Sequence, residues 1–263
     1  MSRPGLLEGK VAVVTGVGPG LGRASALALA REGASVVLVA RSAERLDAVA
    51  EEIMASGGRA LAVAGSVTKP VDCERVAAGA VEAFGGIDVL VNSAFRGDPF
   101  QAVADADLDA WRKIFEVNFY GPTNMTRACL PALRARGGGS VVMVASQSAR
   151  KIRPNEAGYA ASKSALITLT RSLATELAAD HIRVNAVVPG WIWGPNVQMY
   201  VDWQTQSRGV SREAVIDEIT SEIPLGEIPP QEDIAESIVF FASGMSRVIT
   251  GQTLDVNGGE YFG

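Results

Sequence analysis

The stretch Lys10-Val-Ala-Val-Val-Thr15-Gly16-Val-Gly18-Pro-Gly20-Leu-Gly22 decides the fold that we predict for this chain. Its first part is a short apolar run typical of a buried strand, and helical periodicity begins directly after it, at Arg23. Glycines between a strand and a helix let backbone N–H groups approach a phosphate without a Cβ in the way, and the helix N-terminus adds partial positive charge. The stretch therefore predicts a strand–turn–helix unit that binds the diphosphate of a dinucleotide, rather than a plain tight turn.

The same alternation of apolar runs and helical stretches continues to near the end of the chain. Strands are predicted at Val11 to Thr15, Ser35 to Ala40, Ala60 to Ala64, Val89 to Asn92, Val141 to Ala145, Val184 to Val188 and Thr253 to Val256. Helices are predicted at Arg23 to Glu32, Ala43 to Ser56, Pro70 to Phe84, Leu108 to Arg134, Tyr159 to Ala178 and Glu232 to Ser243. Val-rich strands joined by right-handed crossovers indicate an α/β fold, a Rossmann-like doubly wound parallel sheet of about seven strands. We expect one domain over residues 1–263, because no stretch resembles a linker.

One segment departs from this alternation. Between Trp191 and Ile228 the chain holds prolines, glycines and two short helical patterns, and long excursions of this kind are usually functional. We predict a helical substrate lid over residues 191–228. Its three tryptophans, Trp191, Trp193 and Trp203, either line an apolar substrate pocket or form a small core of the lid itself.

Composition and charge exclude several classes of protein and partner. The chain has 263 residues, 48% hydrophobic, and a net charge of -5 without any block of like charges, so we expect no nucleic-acid partner. Its apolar runs have the length of strands, and it begins without an apolar signal core, so we expect no membrane association and a cytoplasmic protein.

Cysteine and histidine are scarce. Cys73 and Cys129 lie far apart and outside any Cys-x-x-Cys pair, so we expect two buried thiols. His181 is the only histidine, which excludes a multi-histidine metal site, and we expect it to face solvent near a helix end. We expect no metal.

A serine, a tyrosine and a lysine form a candidate catalytic set. Tyr159-Ala-Ala-Ser-Lys163 places a phenol and an ammonium on one face of a helix, and Ser146 follows the strand predicted at Val141 to Ala145. Strand carboxyl ends are where open α/β sheets place their ligands. A nearby ammonium lowers the pKa of a tyrosine, which is ordinarily about 10, by about 1–3 units. We therefore expect Tyr159 to exchange a proton with a substrate hydroxyl.

Thr15-Gly16-x-x-x-Gly20-x-Gly22, followed by Ser146-x12-Tyr159-x3-Lys163, resembles the short-chain dehydrogenase/reductase family over nearly the whole chain. The resemblance implies an NAD(P)(H)-dependent oxidoreductase that transfers a hydride between the nicotinamide and a secondary alcohol or ketone. It further implies that Lys163 binds the nicotinamide ribose, that Ser146 holds the substrate oxygen and that the protein is a homotetramer. Two features of the sequence agree with a homotetramer. The long predicted helices carry apolar residues on more than one face, and the apolar pair Tyr261-Phe262 near the end of the chain would need cover.

Asn118 matches the fourth catalytic residue of the family. Pro122 has no N–H, so in a continuous helix the carbonyl of Asn118 loses its donor and is free to bind a water that links Lys163 to solvent. The alternative interpretation is a kink that Gly121-Pro122 makes for packing alone.

The second predicted strand ends in Ala40-Arg41-Ser42, with Ala40 where NAD-preferring relatives have an acid. Arg41 would bind a 2′-phosphate with its guanidinium, so NADP(H) is favoured; NAD(H) stays possible, because Arg41 would equally stack on adenine. Besides Tyr159 and Lys163, the predicted cofactor contacts are Gly16, Gly18, Gly20, Leu21, Gly22, Arg41, Ser42, Ser66, Val67, Asn92, Pro189, Gly190 and Ile192. The predicted substrate-pocket residues are Phe95, Gln147, Trp191 and Trp193.

Three positions depart from the family pattern. Phe95 replaces a glycine and would narrow the substrate pocket, unless residues Arg96 to Phe100 remodel its surroundings. Ser66 replaces an aspartate that contacts adenine, and Gly194 replaces a threonine, which leaves the carboxamide to the backbone of Ile192.

Two alternative functions remain. The first is an acyl-carrier-protein-linked 3-oxoacyl reductase, whose acidic partner would meet Arg150, Lys151 and Arg153, unless these form a solvated basic loop. The second is a dinucleotide-sensing regulator without turnover.

Overall fold

A seven-stranded parallel sheet forms the centre of the computed structural model, which describes residues 4–263. The strands lie in the order β3-β2-β1-β4-β5-β6-β7. Their bounds are β1 Val11–Thr15, β2 Ser35–Ala40, β3 Arg59–Ala64, β4 Val89–Asn92, β5 Gly139–Val144, β6 Ile182–Pro189 and β7 Thr253–Val256. The order reverses direction between β1 and β4, as in a doubly wound sheet, and the predicted α/β fold is confirmed.

Helices cover both faces of this sheet. Their bounds are α1 Leu21–Arg31, α2 Ala43–Ala55, α3 Pro70–Phe84, α4 Leu108–Phe115, α5 Gly121–Ala135, α6 Ala157–Glu176, α7 Pro195–Arg208, α8 Arg212–Thr220 and α9 Gln231–Ala242. Helices α1, α2 and α9 share one apolar core with the sheet, and α3, α5 and α6 share the other.

Each central strand serves both cores, because successive side chains point to opposite faces. In β1, for example, Ala12 and Val14 pack in the first core and Val13 packs in the second. All five residues of β1 are buried. This explains why the strands appear in the sequence as continuous apolar runs rather than as an alternation of apolar and polar residues.

The predicted helix from Leu108 to Arg134 is wrong as a single α-helix. A π-helical turn, Glu116–Tyr120, separates α4 from α5, and the carbonyl of Glu116 accepts a hydrogen bond from the N–H of Gly121, five residues on. The interruption falls directly before Pro122, which cannot donate an α-helical hydrogen bond to the carbonyl of Asn118. Asn118 is therefore at the centre of a widened turn.

The segment 191–228 contains α7 and α8 and packs around a small apolar core of its own. Its buried residues are Val201, Val215, Ile219, Ile223 and Ile228, with Trp191, Trp193 and Tyr200 packed against them. Trp203 is 61% exposed, so the tryptophans do not act as one group.

The predicted burial of the two cysteines and the predicted exposure of the histidine are confirmed as well. Cys73 and Cys129 are buried free thiols, and His181 is exposed just beyond α6. Within residues 4–263, no helix has both the length and the apolar character needed to cross a bilayer.

Candidate active site

A cavity of about 620 Å³ opens at the carboxyl ends of the central strands. The glycine turn after β1 forms one end, and residues that follow β5 and β6 form the other. A second cavity of about 630 Å³ continues along the carboxyl ends of β2 and β3 and shares Gly16, Gly18, Arg41, Arg45 and Phe95 with the first. Because they share these five residues, the two cavities form one continuous groove along the carboxyl ends of the strands.

The turn after β1 accommodates no side chain at two positions. Gly16 has φ +74°, and a Cβ there would lie 2.5 Å from the Cα of Ala94. A Cβ on Gly22 would lie 2.2 Å from the carbonyl oxygen of Gly16. Gly20 precedes α1, and among the described residues no side chain caps that helix, so the N–H groups of Leu21 and Gly22 stay available to a ligand. This cradle of backbone fits a diphosphate.

Ser146, Tyr159 and Lys163 lie together on the wall opposite this turn. Ser146 follows β5, and the other two lie on the first turns of α6. The Lys163 side chain is 2% exposed, and its Nζ donates a hydrogen bond to the carbonyl of Val144 at 2.7 Å. Its Nζ lies 5.7 Å from the centroid of the Tyr159 ring. The three residues predicted from their spacing therefore meet in space.

Burial governs the protonation of this pair. It raises the pKa of Tyr159 to about 12, an effect that a hydrogen bond with Ser146 partly offsets, and it lowers the pKa of Lys163 to about 7. The predicted depression of the Tyr159 pKa is therefore wrong for the chain by itself. The ammonium of Lys163 is directed to the carbonyl of Val144, and desolvation of the phenolate outweighs any attraction to it.

Asn118 connects the loop after β4 to α6. Its Oδ1 accepts a hydrogen bond from the N–H of Arg96 at 2.7 Å, and its Nδ2 donates to the carbonyl of Arg96 and to the Oγ of Ser162, each at 3.0 Å. Ser162 in turn donates to the carbonyl of Tyr159 at 2.7 Å. The Asn118 side chain is fully buried and lines neither cavity, so it supports the helix that carries Tyr159 and Lys163.

Most predicted cofactor and substrate residues do line the groove. Those along the first cavity are Gly16, Gly18, Gly20, Leu21, Gly22, Arg41, Phe95, Gln147, Pro189, Gly190, Trp191 and Ile192. Those along the second are Arg41, Ser42, Ser66, Val67 and Phe95. Ser66 donates its N–H to Asp72, and its hydroxyl pairs with Thr68.

Two predicted contact residues, Asn92 and Trp193, do not line the groove. Asn92 is buried within β4, and its Nδ2 donates to the Oγ1 of Thr126 at 3.3 Å, so it joins the sheet to α5 instead of reaching the groove. Trp193 donates its N–H to the carbonyl of Pro229 at 2.8 Å, and its ring packs in the core of segment 191–228. Neither lines the cavities that the described residues form.

Arg45 and Gln231 are among the groove residues that sequence reasoning missed. Arg45 lies in the first turn of α2, four residues after Arg41, and lines both cavities beside it. Gln231, the first residue of α9, lines the cavity near the glycine turn. Nothing local in the sequence around Gln231 indicates this, because 209 residues separate it from Gly22.

The basic residues after Ser146 form ion pairs within the chain. Arg150 binds Asp255 at 2.6 Å. Lys151 and Arg153 both bind Glu260, at 3.1 and 2.7 Å, and the Glu260 side chain is fully buried. The predicted solvated basic loop is therefore wrong, and the charges on which the acyl-carrier-protein alternative depended are already neutralised.

Comparison with known proteins agrees with this geometry. A family model described as enoyl-(acyl carrier protein) reductase matches residues 16–260. Human dehydrogenase/reductase SDR family member 4 is 37% identical over 98% of this chain and 90% of its own. The 3-oxoacyl-[acyl-carrier-protein] reductase FabG of Thermotoga maritima is 35% identical over 96% of this chain and 98% of its own.

A solved structure extends the likeness to three dimensions. L-sorbose reductase from Gluconobacter frateurii, complexed with NADPH and L-sorbose, superposes with a TM-score of 0.92 at 33% identity and covers 98% of both chains. The chain therefore belongs to the short-chain dehydrogenase/reductase family and is an oxidoreductase that uses a nicotinamide dinucleotide.

Proposed function

We propose that this enzyme interconverts a secondary alcohol and a ketone with Tyr159 as proton donor and acceptor, Ser146 as ligand of the substrate oxygen and Lys163 as ligand of the nicotinamide ribose. One observation carries the assignment: these three side chains lie on one wall of a cavity whose other end is the glycine turn. When bound, the nicotinamide supplies or accepts the hydride.

In the direction of reduction, Tyr159 gives its phenolic proton to the carbonyl oxygen of the substrate, while the Ser146 hydroxyl holds that oxygen. Burial keeps the phenol protonated at neutral pH, since it raises the pKa of Tyr159 to about 12. Oxidation of the alcohol requires the opposite transfer, so we expect its rate to rise with pH. The Asn118 set of hydrogen bonds ties α6, which carries Tyr159 and Lys163, to the loop after β4.

The substrate end of the cavity supports a polar substrate beneath a lid formed by residues 191–228. Gln147 is 4% exposed, lines the cavity and has an Oε1 without a hydrogen-bond partner among the described residues. A substrate hydroxyl would satisfy that oxygen. Trp191 forms an apolar wall beside it, with the guanidinium of Arg153 stacked 4.4 Å from the centroid of its ring.

We propose NADP(H) as the preferred cofactor. Arg41 and Arg45 are exposed, line the adenosine end of the groove and form no ion pair within residues 4–263. Two free guanidinium groups beside Ala40 suit a 2′-phosphate, whereas a carboxylate at position 40 would oppose it.

We also propose a cytoplasmic homotetramer. Two free, buried thiols suit a reducing compartment. Leu108 and Tyr120 are 57% and 50% exposed on either side of a groove along α4, and Phe262 is 83% exposed, so apolar surface remains for other subunits to cover. Light scattering at micromolar concentration tests this proposal, and a monomer would contradict it.

The experiment for the catalytic assignment compares wild type, Tyr159→Phe and Tyr120→Phe with NADPH or NADH and a panel of ketones and secondary alcohols. We expect Tyr159→Phe to lower kcat by about 10²–10⁴-fold, the usual contribution of general acid–base catalysis. Cofactor Kd should stay within a few-fold, and Tyr120→Phe, which alters an exposed tyrosine outside the cavity, should match wild type.

Two outcomes would contradict the proposal. Retention of more than about a hundredth of wild-type kcat by Tyr159→Phe would remove its catalytic role. A wild type that binds cofactor but turns over nothing in the panel would favour the sensing regulator, and turnover confined to acyl-carrier-protein-linked 3-oxoacyl substrates would favour that alternative.

A further inference from the structure

Gln231 begins α9 at a point where the glycine turn and the start of segment 191–228 come together. A Cβ placed on Gly20 would lie 3.9 Å from the Oε1 of Gln231, and a Cβ on Gly194 would lie 3.2 Å from the same atom. Gln231 also lines the first cavity. Its carboxamide therefore lies between the two glycines that border the phosphate end of the groove.

Only one of the two polar atoms of this carboxamide has a hydrogen-bond partner among the described residues. The Oε1 of Gln231 is buried and has no hydrogen-bond partner among the described residues, while Nε2 donates to the Oε1 of the neighbouring, exposed Glu232 at 3.2 Å. A buried amide oxygen without a partner is costly, and native proteins leave few of them. A half-turn about the last torsion of the side chain would exchange the acceptor for an N–H donor at the same place.

Residue 194 has no polar side chain to offer here, because it is glycine. A side chain at that position would start 3.2 Å from the Gln231 oxygen, closer than most real Cβ contacts, so the two would compete for one volume. Gln231 thus fills from α9 the space that a side chain at position 194 would otherwise occupy.

We propose that Gln231 is a cofactor-binding residue whose carboxamide donates a hydrogen bond to the diphosphate of the dinucleotide, opposite the backbone N–H groups of the glycine turn. The diphosphate is the expected partner because Gly20 immediately precedes α1, whose N-terminus attracts phosphate. This inference rests on the proposed function only for the presence of a bound dinucleotide.

The test titrates NADPH and NADH, by nicotinamide fluorescence, into wild type, Gln231→Ala, Gln231→Glu and the control Gln252→Ala, an exposed glutamine before β7. A hydrogen bond to a charged group corresponds to about a ten- to hundredfold change in affinity, so we expect Gln231→Ala to raise Kd by at least about tenfold. Gln231→Glu should raise it further, because a carboxylate repels the diphosphate. Gln252→Ala should match wild type.

A rescue variant separates a direct contact from a loss of packing. Threonine at 194 would restore a hydrogen-bonding side chain in the space that Gln231→Ala empties, so Gly194→Thr combined with Gln231→Ala should regain most of the lost affinity. Gly194→Thr alone should weaken binding, because both side chains then compete. Thermal unfolding checks the fold: the variants should match wild type without cofactor and show a smaller rise in Tm with it.

ADP-ribose, which keeps the diphosphate and lacks the nicotinamide, identifies the group that Gln231 contacts. We expect Gln231→Ala to weaken ADP-ribose and NADPH by the same factor. An effect on NADPH alone would overturn the diphosphate assignment, and a Kd within about twofold of wild type would overturn the inference while the proposed function stood. A wild type that binds neither probe would overturn both.

Discussion

Lys163 has an environment that few lysines tolerate. Its side chain is 2% exposed, and its Nζ reaches the carbonyl of Val144. A buried ammonium costs free energy unless a counter-charge compensates it, and desolvation accordingly lowers the pKa of Lys163 to about 7. Burial of Lys163 therefore lowers the stability of the folded state, a cost that is often found at functional positions.

This cost should appear as a pH dependence of stability. In the unfolded chain the lysine pKa is about 10.4, so between about pH 7 and 10 the unfolded state holds a proton that the folded state has released, and stability rises with pH. Lys163→Met lacks this titration. We expect the free energy of unfolding of wild type, minus that of the variant, to increase between pH 7 and 9 by at most about 1.4 kcal/mol per pH unit.

Guanidinium unfolding at pH 6, 7, 8 and 9 measures this difference, with the exposed Lys113→Met as control. The difference should level off toward pH 6, about one unit below the folded-state pKa, because both states then hold the proton. The series stops at pH 9 because the raised pKa of Tyr159 acts in the opposite direction above pH 10. A difference that is flat over the whole range would show that Lys163 titrates normally.

Cofactor preference also depends on single residues. Arg41→Ala should weaken NADPH binding by about ten- to hundredfold and leave NADH within a few-fold, since it removes a charge-assisted contact to the 2′-phosphate. Ala40→Asp should reverse the preference, because a carboxylate repels that phosphate and accepts hydrogen bonds from the ribose. Fluorescence titration measures both. Equal wild-type affinities for NADH and NADPH would contradict the NADP(H) assignment.

The elements show what the sequence could and could not predict. Strand positions and the spacing of Ser146, Tyr159 and Lys163 are local patterns, and they led to the correct sheet and the correct wall of the cavity. Pro122 indicated a disturbed helix near Asn118, but the form that it takes, a π-helical turn at Glu116–Tyr120, was not predictable from local pattern. Trp193 and Gln231 show the same limit: which face a side chain meets depends on packing between segments distant in sequence.

The π-helical turn gives Asn118 a structural function that can be measured. Asn118→Ala removes three hydrogen bonds, two to the backbone of Arg96 and one to the Oγ of the buried Ser162, and we expect a loss of about 1–3 kcal/mol in the free energy of unfolding. Asn124→Ala is the matched control, because Asn124 lies in α5 and makes one hydrogen bond, to the carbonyl of Val67. It should cost only about 0.5–1.5 kcal/mol. Equal losses in denaturant unfolding would contradict this function.

Across the whole molecule, Glu260 joins three parts of the chain that are far apart in sequence. It binds Lys151 and Arg153, which follow β5, while Lys151 also binds Glu222 of segment 191–228 at 2.6 Å. Arg153 in turn stacks on Trp191, which lines the cavity. The residues after β7 thus hold the substrate wall and the proposed lid together.

The two glutamates of this cluster differ in burial, and that difference makes the last prediction. Glu260 is fully buried and Glu222 is 59% exposed. Removing one partner of a fully buried ion pair costs about 3–5 kcal/mol, whereas an exposed pair contributes about 0–1 kcal/mol. The pairs of Glu260 lie between these limits, because the side chains of Lys151 and Arg153 are 34% and 32% exposed. Glu260→Gln should therefore lower the free energy of unfolding by several-fold more than Glu222→Gln, as measured by denaturant unfolding.

Limited trypsin digestion measures how the two variants, Glu260→Gln and Glu222→Gln, affect segment 191–228 itself. Arg208, at the exposed end of α7, should be cleaved faster in Glu260→Gln, because loss of the buried carboxylate lets the segment open locally. Glu222→Gln should be cleaved at nearly the wild-type rate, since Glu260 still neutralises Lys151. If both variants digest at the wild-type rate, the segment is held by its own apolar core around Val201 and Ile219, and Glu260 does not restrain it.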